Sequence, residues 1–256
     1  MTEPIATGYP TLDRQLQGGL RPEDLIVLGG DSGAGCSALA LGIAVRVAER
    51  GVPVTLLSTE MSATRLAERA LAQTARATLQ ELEGTGLDDI RRADIADAAM
   101  RLRALPLTFR TQPEEGWSAE LGAYADAWEL LVVDALEGLP WDPRGPRDEA
   151  WAARVGSLKR LAIARGAPVL LVTHLGPEVA ARADHRPVLR DFGAAGAVQQ
   201  LADVVMALYR EERYRPDAGV TGAAELLVLK DRHGQPGPVD LWFAPAWFRF
   251  EDLAEA

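Results

Sequence analysis

LIVLGGDSGAGCSALALGIAVRVAER, Leu25 to Arg50, decides the fold. An apolar run, Leu25 to Gly29, breaks into the glycine-rich turn Gly30 to Ser37, and a segment of helical period follows from Gly35 to Arg50. A strand feeding a helix through such a turn is the elementary unit of α/β architecture. The turn, GDSGAGCS, spaces its glycines as the phosphate-loop pattern G-x-x-x-x-G-K-[ST] does, with Cys36 in the lysine slot. Gly30, Gly33 and Gly35 free a backbone that also runs through Asp31, Ser32 and Ala34 to turn its amides inward. The new helix points its positive end at the same place, which together makes an anion cradle. Ser37 stands where a hydroxyl holds magnesium. The structural alternative is a tight strand-to-helix connection that binds nothing.

Outward from this unit the same alternation continues. Apolar runs predict strands at Val54 to Ser58, Leu130 to Asp134 and Val169 to Thr173, then at Asp203 to Tyr209, Ala224 to Lys230, Val239 to Phe243 and Trp247 to Phe250. Helical periods predict helices over Ser62 to Arg76 and Arg147 to Arg165, and the alanine-rich stretch Leu87 to Leu105 reads as a helix without an assigned place. Strand, helix, strand order implies right-handed crossovers and a parallel sheet. The last strands are separated by turn-forming stretches such as HGQPGP and read as antiparallel hairpins at the sheet edge. Glu83 to Gly86 and Gly138 to Pro146 read as loops.

Two acids reach the edge where the phosphate-loop pattern lies. Asp134 follows four apolar residues, the form of a magnesium-binding acid at a strand end, and Glu60 closes the second strand in STEM. Either acid alone is better read as a helix cap or a loop ion pair. Three such features at the carboxyl ends of parallel strands, where open α/β sheets hold ligands, favour a binding site.

Composition narrows the rest. Hydrophobic residues are 48% and charged residues 25% of 256, the balance of a folded soluble protein. No apolar run approaches a membrane span and the first residues lack the order of a signal peptide, so no membrane association and a cytoplasmic location are expected. The one cysteine excludes an intrachain disulfide. The formal charge of -10 argues against broad capture of nucleic acid, which needs clustered cations. Of the basic residues only Lys159 and Lys230 are lysines.

From Thr7 to Leu253 the chain resembles the C-terminal ATPase domain of the DnaB helicase family, in order over nearly its whole length. The entry segment TGYPTLDRQLQGGLRPEDLIVLGG, the STEMS motif, LLVVDAL, the stretch RADHRPVLRDFGAAGAVQQLADVVMALYREERY and the closing LKDRHGQPGPVDLWFAPAWFRFEDL carry the likeness. It implies a RecA-like P-loop NTPase fold, a mostly parallel sheet flanked by helices with antiparallel edge hairpins, as one domain over residues 1–256. It also implies ATP with Mg2+ as cofactors. Glu60 would polarise the attacking water, Asp134 would support magnesium with Ser37, and His174 would replace the usual glutamine that senses the γ-phosphate. Lys230 and Arg232 would reach a neighbour's nucleotide, which implies self-association into a ring or filament; their structural alternative is a solvated hairpin charge pair. RadA-like and KaiC-like proteins share the GGDSGAG loop, but STEMS and WFRFEDL fit DnaB better.

The chain departs from the family pattern in three ways. Cys36 replaces the lysine, and FGAA, Phe192 to Ala195, lacks the polar and basic residues of the family's DNA-facing loop. A chain without the family's N-terminal domain and linker helix is the third expected difference. A charge-assisted hydrogen bond contributes about 1.5–3 kcal/mol, so losing the lysine weakens nucleotide by about 10- to 150-fold. Two readings follow. One is a nucleotide-binding ring or filament component that hydrolyses slowly or not at all and binds single-stranded DNA weakly. The other is an active DNA motor that takes a cation from elsewhere, with Lys230 of a neighbour as the candidate; against weak DNA binding stands a basic channel of Arg182, Arg186 and Arg190. Cys36 is either a thiolate stabilised by the helix dipole or a neutral packed thiol.

Overall fold

The computed structural model describes residues 3–84, 86–111, 128–140, 146–193, 196–217 and 220–253. Its strands are β1 (Leu25–Gly30), β2 (Val54–Ser58), β3 (Leu107–Thr111), β4 (Leu130–Asp134), β5 (Val169–His174), β6 (Val204–Tyr209), β7 (Ala223–Asp231), β8 (Gly237–Ala244) and β9 (Arg249–Asp252). Its α-helices are α1 (Pro10–Gln15), α2 (Cys36–Glu49), α3 (Ala63–Ala75), α4 (Leu79–Leu82), α5 (Asp89–Ala104), α6 (Arg147–Arg165), α7 (Glu178–Ala181) and α8 (Ala197–Leu201). All nine strands form one sheet in the order β3-β2-β4-β5-β1-β6-β7-β8-β9. The six from β3 to β6 pair in parallel and the last three antiparallel, as the spacing of their turns predicts.

The continuous apolar runs exist because both faces of the sheet are covered. Ile26, Leu28, Leu130, Val132, Leu170 and Val172 pack into a core shared with α1, α2 and α3. Their alternates Leu25, Val27, Leu131, Val133, Val169 and Leu171 pack into a second core under α6 and α8. The helix α2 is apolar nearly all round and buried, as a helix wedged between sheet and neighbours must be. It admits Tyr9 because Gly42 has no side chain: a Cβ there would lie 2.4 Å from the tyrosine oxygen. The helix α3 begins on Ser62, which accepts from the Arg65 amide, and ends where Arg76 turns left-handed at φ 48. Gln73 of α3 donates to the Ala38 carbonyl at 2.9 Å and the Phe248 carbonyl at 2.8 Å, fixing this helix to α2 and to the closing hairpin.

The structure adds and moves elements. β3, absent from the sequence prediction, is a half-buried edge strand beside β2. The helix α1 was likewise not predicted. The closing strand begins at Arg249 rather than Trp247, because Pro245–Trp247 forms a 3-10 turn and Phe248 follows with φ 53. The alanine-rich helix finds its place as α5, mostly exposed, against α3. Of the predicted loop Gly138 to Pro146, Gly138 belongs to a short 3-10 turn and 141–145 lie outside the described residues.

Candidate functional site

Strand register brings the predicted residues together. Gly30 at the end of β1 pairs with His174 at the end of β5, and Ser58 at the end of β2 pairs with Asp134 at the end of β4. The carboxyl edge of the sheet therefore carries the glycine-rich loop, both acids and the histidine. Within the loop Gly33 has φ +76 and Gly35 has φ +109, values that an L side chain resists. Gly35 is the N-cap of α2, whose first amides face the loop.

Cys36 is buried, and its sulfur turns back under the loop: a Cβ on Gly30 would lie 2.5 Å from Sγ. Burial pushes the thiol far above its ordinary range, with Asp134 and Glu137 adding to the effect, so it is a neutral packed group. Ser37 Oγ donates to Asp134 Oδ1 at 3.0 Å. Asp134, 3% exposed, is pushed up to about 6 by burial, with Glu60 raising it further and Ser37, His174 and Arg69 opposing. Ser58 Oγ accepts from the amides of Glu60 at 3.2 Å and Met61 at 2.9 Å, a turn that leaves the Glu60 side chain exposed.

His174 has a partner that sequence reading missed. Glu137 Oε1 accepts from the His174 amide at 2.8 Å and from Thr173 Oγ1 at 2.6 Å, and Oε2 lies 3.4 Å from His174 Nδ1. Burial raises Glu137, but the side-chain and backbone donors of His174 and the Thr173 hydroxyl outweigh it and hold the carboxyl low. The same contact raises the His174 imidazole above its ordinary value against the effect of burial. The signal lay three residues past Asp134, in DALE.

A cleft of 320 Å³ opens along this edge, bounded by the loop, Thr173 and His174, and by Phe243 and Phe248 of the closing hairpin. Two cations outside the predicted set line it. Arg69 of α3 stacks on Phe248 with its guanidinium carbon 5.1 Å from the ring centre, and Arg210, past the end of β6, lies 4.2 Å over Phe243.

Other predicted residues lie elsewhere. Lys230 and Arg232 sit toward the opposite, amino edge of the sheet, where Lys230 pairs in register with Val205. Lys230 Nζ donates to the carbonyls of Gln199 at 2.8 Å and Ala202 at 2.5 Å, and Arg232 meets Asp203 at 2.8 Å. Arg182 is held by Asp191 at 2.6 Å and Arg186 by Glu225 at 2.5 Å, so two of the three arginines proposed for a basic channel are ion-paired, while Arg190 is exposed. Phe192 of FGAA is buried against Gly29, and Ala194 and Ala195 lie outside the described residues. Among the described residues no helix is long and apolar enough to cross a membrane.

Comparison with known proteins agrees with this geometry. Residues 4–252 match the model of the DnaB-like helicase C terminal domain. The replicative DNA helicase DnaB of Pasteurella multocida (strain Pm70) is 30% identical over 98% of this chain and 56% of its own length. That of Leifsonia xyli subsp. xyli (strain CTCB07) is 31% identical over 98% of this chain and 56% of its length, so the chain spans about half of these relatives. Among solved structures, a DnaB-like replicative helicase studied for its interactions with primase superposes with a TM-score of 0.91 at 20% identity, covering 97% of this chain and 62% of that one. An isolated ATPase domain gives 0.90 at 21% identity, covering 97% and 91%, and the RadB recombinase gives 0.60 at 19%, covering 97% and 99%. The fold is thus RecA-like, and the chain belongs to the family of the DnaB-like helicase C-terminal domain.

Proposed function

We propose that this chain, as one RecA-like domain, binds ATP with Mg2+ in the cleft at the carboxyl edge and hydrolyses it slowly or not at all. It acts as a ring- or filament-forming structural or regulatory component in the cytoplasm. The observation that carries this reading is a complete glycine cradle with a neutral buried thiol, Cys36, in its cationic position. The residues fit magnesium, which binds through one or two carboxylates and substrate phosphates: Ser37 and Asp134 face each other at 3.0 Å. A magnesium ion there would polarise phosphoryl oxygens. Glu60 would hold and polarise the attacking water, and His174, whose imidazole Glu137 raises above its ordinary value, would sense the outermost phosphate as a hydrogen-bond donor. Lys230 and Arg232 would act across a subunit boundary, which supports assembly into a closed ring or an open filament. Single-stranded DNA would bind weakly, since Arg182 and Arg186 are already paired.

Arg69 and Arg210 in the cleft favour a second reading, an ATP-dependent DNA helicase or translocase that replaces the lysine with other cations. Magnesium-dependent ATP turnover, with and without single-stranded DNA, separates the two. The first reading expects turnover near background in the native protein, with Cys36→Lys tightening ATP about 10-fold or more. It also expects native affinity to stay level through the ordinary thiol range, because Cys36 stays neutral. Robust DNA-stimulated turnover by the native protein selects the second reading. Light scattering should show more than a monomer, and a strict monomer at high concentration with nucleotide refutes assembly.

A further inference from the structure

We propose that Arg213, with Tyr214 and Arg210, is a positioning residue that aims the amides of the Gly30–Ser37 loop into the cleft before any ligand arrives. The inference rests on reading that loop as a phosphate cradle. One segment past β6 grips four consecutive loop residues. Tyr214 donates its hydroxyl proton to Asp31 Oδ2 at 3.0 Å. Arg213 forks, Nη2 to the Ser32 carbonyl at 2.5 Å and Nη1 to the Gly33 carbonyl at 3.0 Å. Arg210 Nη1 reaches the Ala34 carbonyl at 3.4 Å.

In a trans peptide the C=O and the N–H point in opposite directions. Arg213 stands outside the residues that line the cleft, so a Ser32 carbonyl held by it sends the Gly33 amide the other way, and the Gly35 amide likewise points away from the Ala34 carbonyl that Arg210 holds. Among the described residues those two amides donate to no protein acceptor, whereas the Ala34 amide between them closes a turn onto the Asp31 carbonyl at 2.9 Å. The cradle is thus held with its donors unspent. Gly33 is needed for the grip as well as for its φ, since a Cβ there would lie 2.9 Å from Arg213 Nη1. The gripping segment is itself fixed. Glu212 pairs with Arg210 and accepts from the Gly222 amide at 2.8 Å, and the Tyr214 ring stacks on His185 at 4.3 Å.

Arg213 is exposed and stands outside the residues that line the cleft, so it acts on bound phosphate through the loop's backbone rather than by contact. In a loop whose lysine slot supplies no charge, amide direction contributes to anion affinity beside the cleft cations Arg69 and Arg210. Two carbonyl bonds from an exposed guanidinium contribute roughly 1 kcal/mol, so their loss should weaken anion binding by about 5- to 10-fold.

The test titrates pyrophosphate into the native protein, Arg213→Ala, Arg213→Lys and Cys36→Lys, and records 15N relaxation at Gly33 and Gly35 without ligand. Arg213→Ala should bind pyrophosphate about 5- to 10-fold more weakly with a thermal midpoint lowered by no more than about 2–4 °C. Its Gly33 and Gly35 order parameters should fall from about 0.85 toward 0.6. Arg213→Lys, which can hold only one carbonyl well, should fall between. Native affinity in Arg213→Ala overturns the proposal. If neither the native protein nor Cys36→Lys binds pyrophosphate, the phosphate reading of the loop fails instead, and relaxation alone decides: unchanged order at both glycines overturns the clamp, and lost order upholds it.

Discussion

The two ends of the same parallel strands treat charge in opposite ways. At the amino edge Asp203, 1% exposed, meets Lys159 at 2.5 Å and Arg232 at 2.8 Å, and accepts from the Leu25 amide at 2.9 Å. Asp24 beside it meets His233 at 3.0 Å, although burial still raises its carboxyl above the ordinary value, so the contrast rests on Asp203. At the carboxyl edge Asp134 is as deeply buried but has, among the described residues, a single hydroxyl donor, and burial pushes it up to about 6. A buried carboxylate paired with cations and amides is there for structure. One left with so little compensation destabilises the fold, and the magnesium ion proposed above would relieve it by bringing its own charge.

That contrast can be broken first by removing the amino-edge acid. Asp203→Ala strands a mostly buried Lys159 and an unpaired Leu25 amide, and should cost about 3 kcal/mol, near the low end for a broken buried pair because Arg232 is half exposed. In a chain of this size that lowers the thermal midpoint by roughly 6–12 °C. A loss no larger than for a surface acid would make the amino edge as dispensable as the carboxyl edge.

Asp134→Asn should do the reverse. The carboxyl has a folded value of about 6 against an unfolded 3.8, so between these values the folded state holds the proton more tightly. Its contribution is therefore favourable at low pH and is lost as pH rises from about 4 through 6, by about 3 kcal/mol. Asparagine removes that dependence, so the variant should gain on the native protein as pH rises and be the more stable by about that amount at pH 8. Urea unfolding at pH 4 and pH 8 measures the difference, and a variant that is less stable at pH 8 breaks the comparison.

The smallest effect sharpens it. Glu137→Gln keeps an acceptor for the His174 amide but removes the charge that raises the imidazole, so His174 should release its proton at lower pH with little change in stability. The protein has three histidines, which makes an NMR titration direct, and an unmoved His174 would deny Glu137 its role.

How much of this was legible depends on where the determining contacts lie. Val54–Ser58, Leu130–Asp134 and Arg147–Arg165 were predicted with the bounds observed, because strands buried on both faces read as unbroken apolar runs and long helices keep their period. β3 was invisible: LTFRT lies at the sheet edge, half-buried, and carries more polar and charged residues than apolar ones. Ser37, Asp134 and the loop glycines announce themselves because their chemistry is local. Arg210, Arg213 and Tyr214 do not, since their meaning depends on β6 lying beside β1, and the pattern around them reads only as charged turn. Glu137 was hidden differently, behind a neighbour with the stronger motif.

The helix α1 has no side-chain cap of its own, and its second residue borrows one from a strand made much later. Thr11 donates from its amide to Asp252 Oδ2 at 2.6 Å and from its hydroxyl to Asp252 Oδ1 at 2.7 Å, across 241 positions. The ring of Phe250, two residues earlier, is the nearest neighbour of Gly35, at 3.0 Å from where a Cβ would be. On a ribosome that makes about 5–20 residues each second, α1 must wait many seconds for its cap, and the glycine turn waits equally long for its floor. Contacts of such sequence separation carry a high loop-closure cost and form late. The strand β9 therefore finishes two early elements at once: a nascent or clipped chain lacking it has neither the Asp252 acceptor for Thr11 nor the Phe250 ring beneath Gly35.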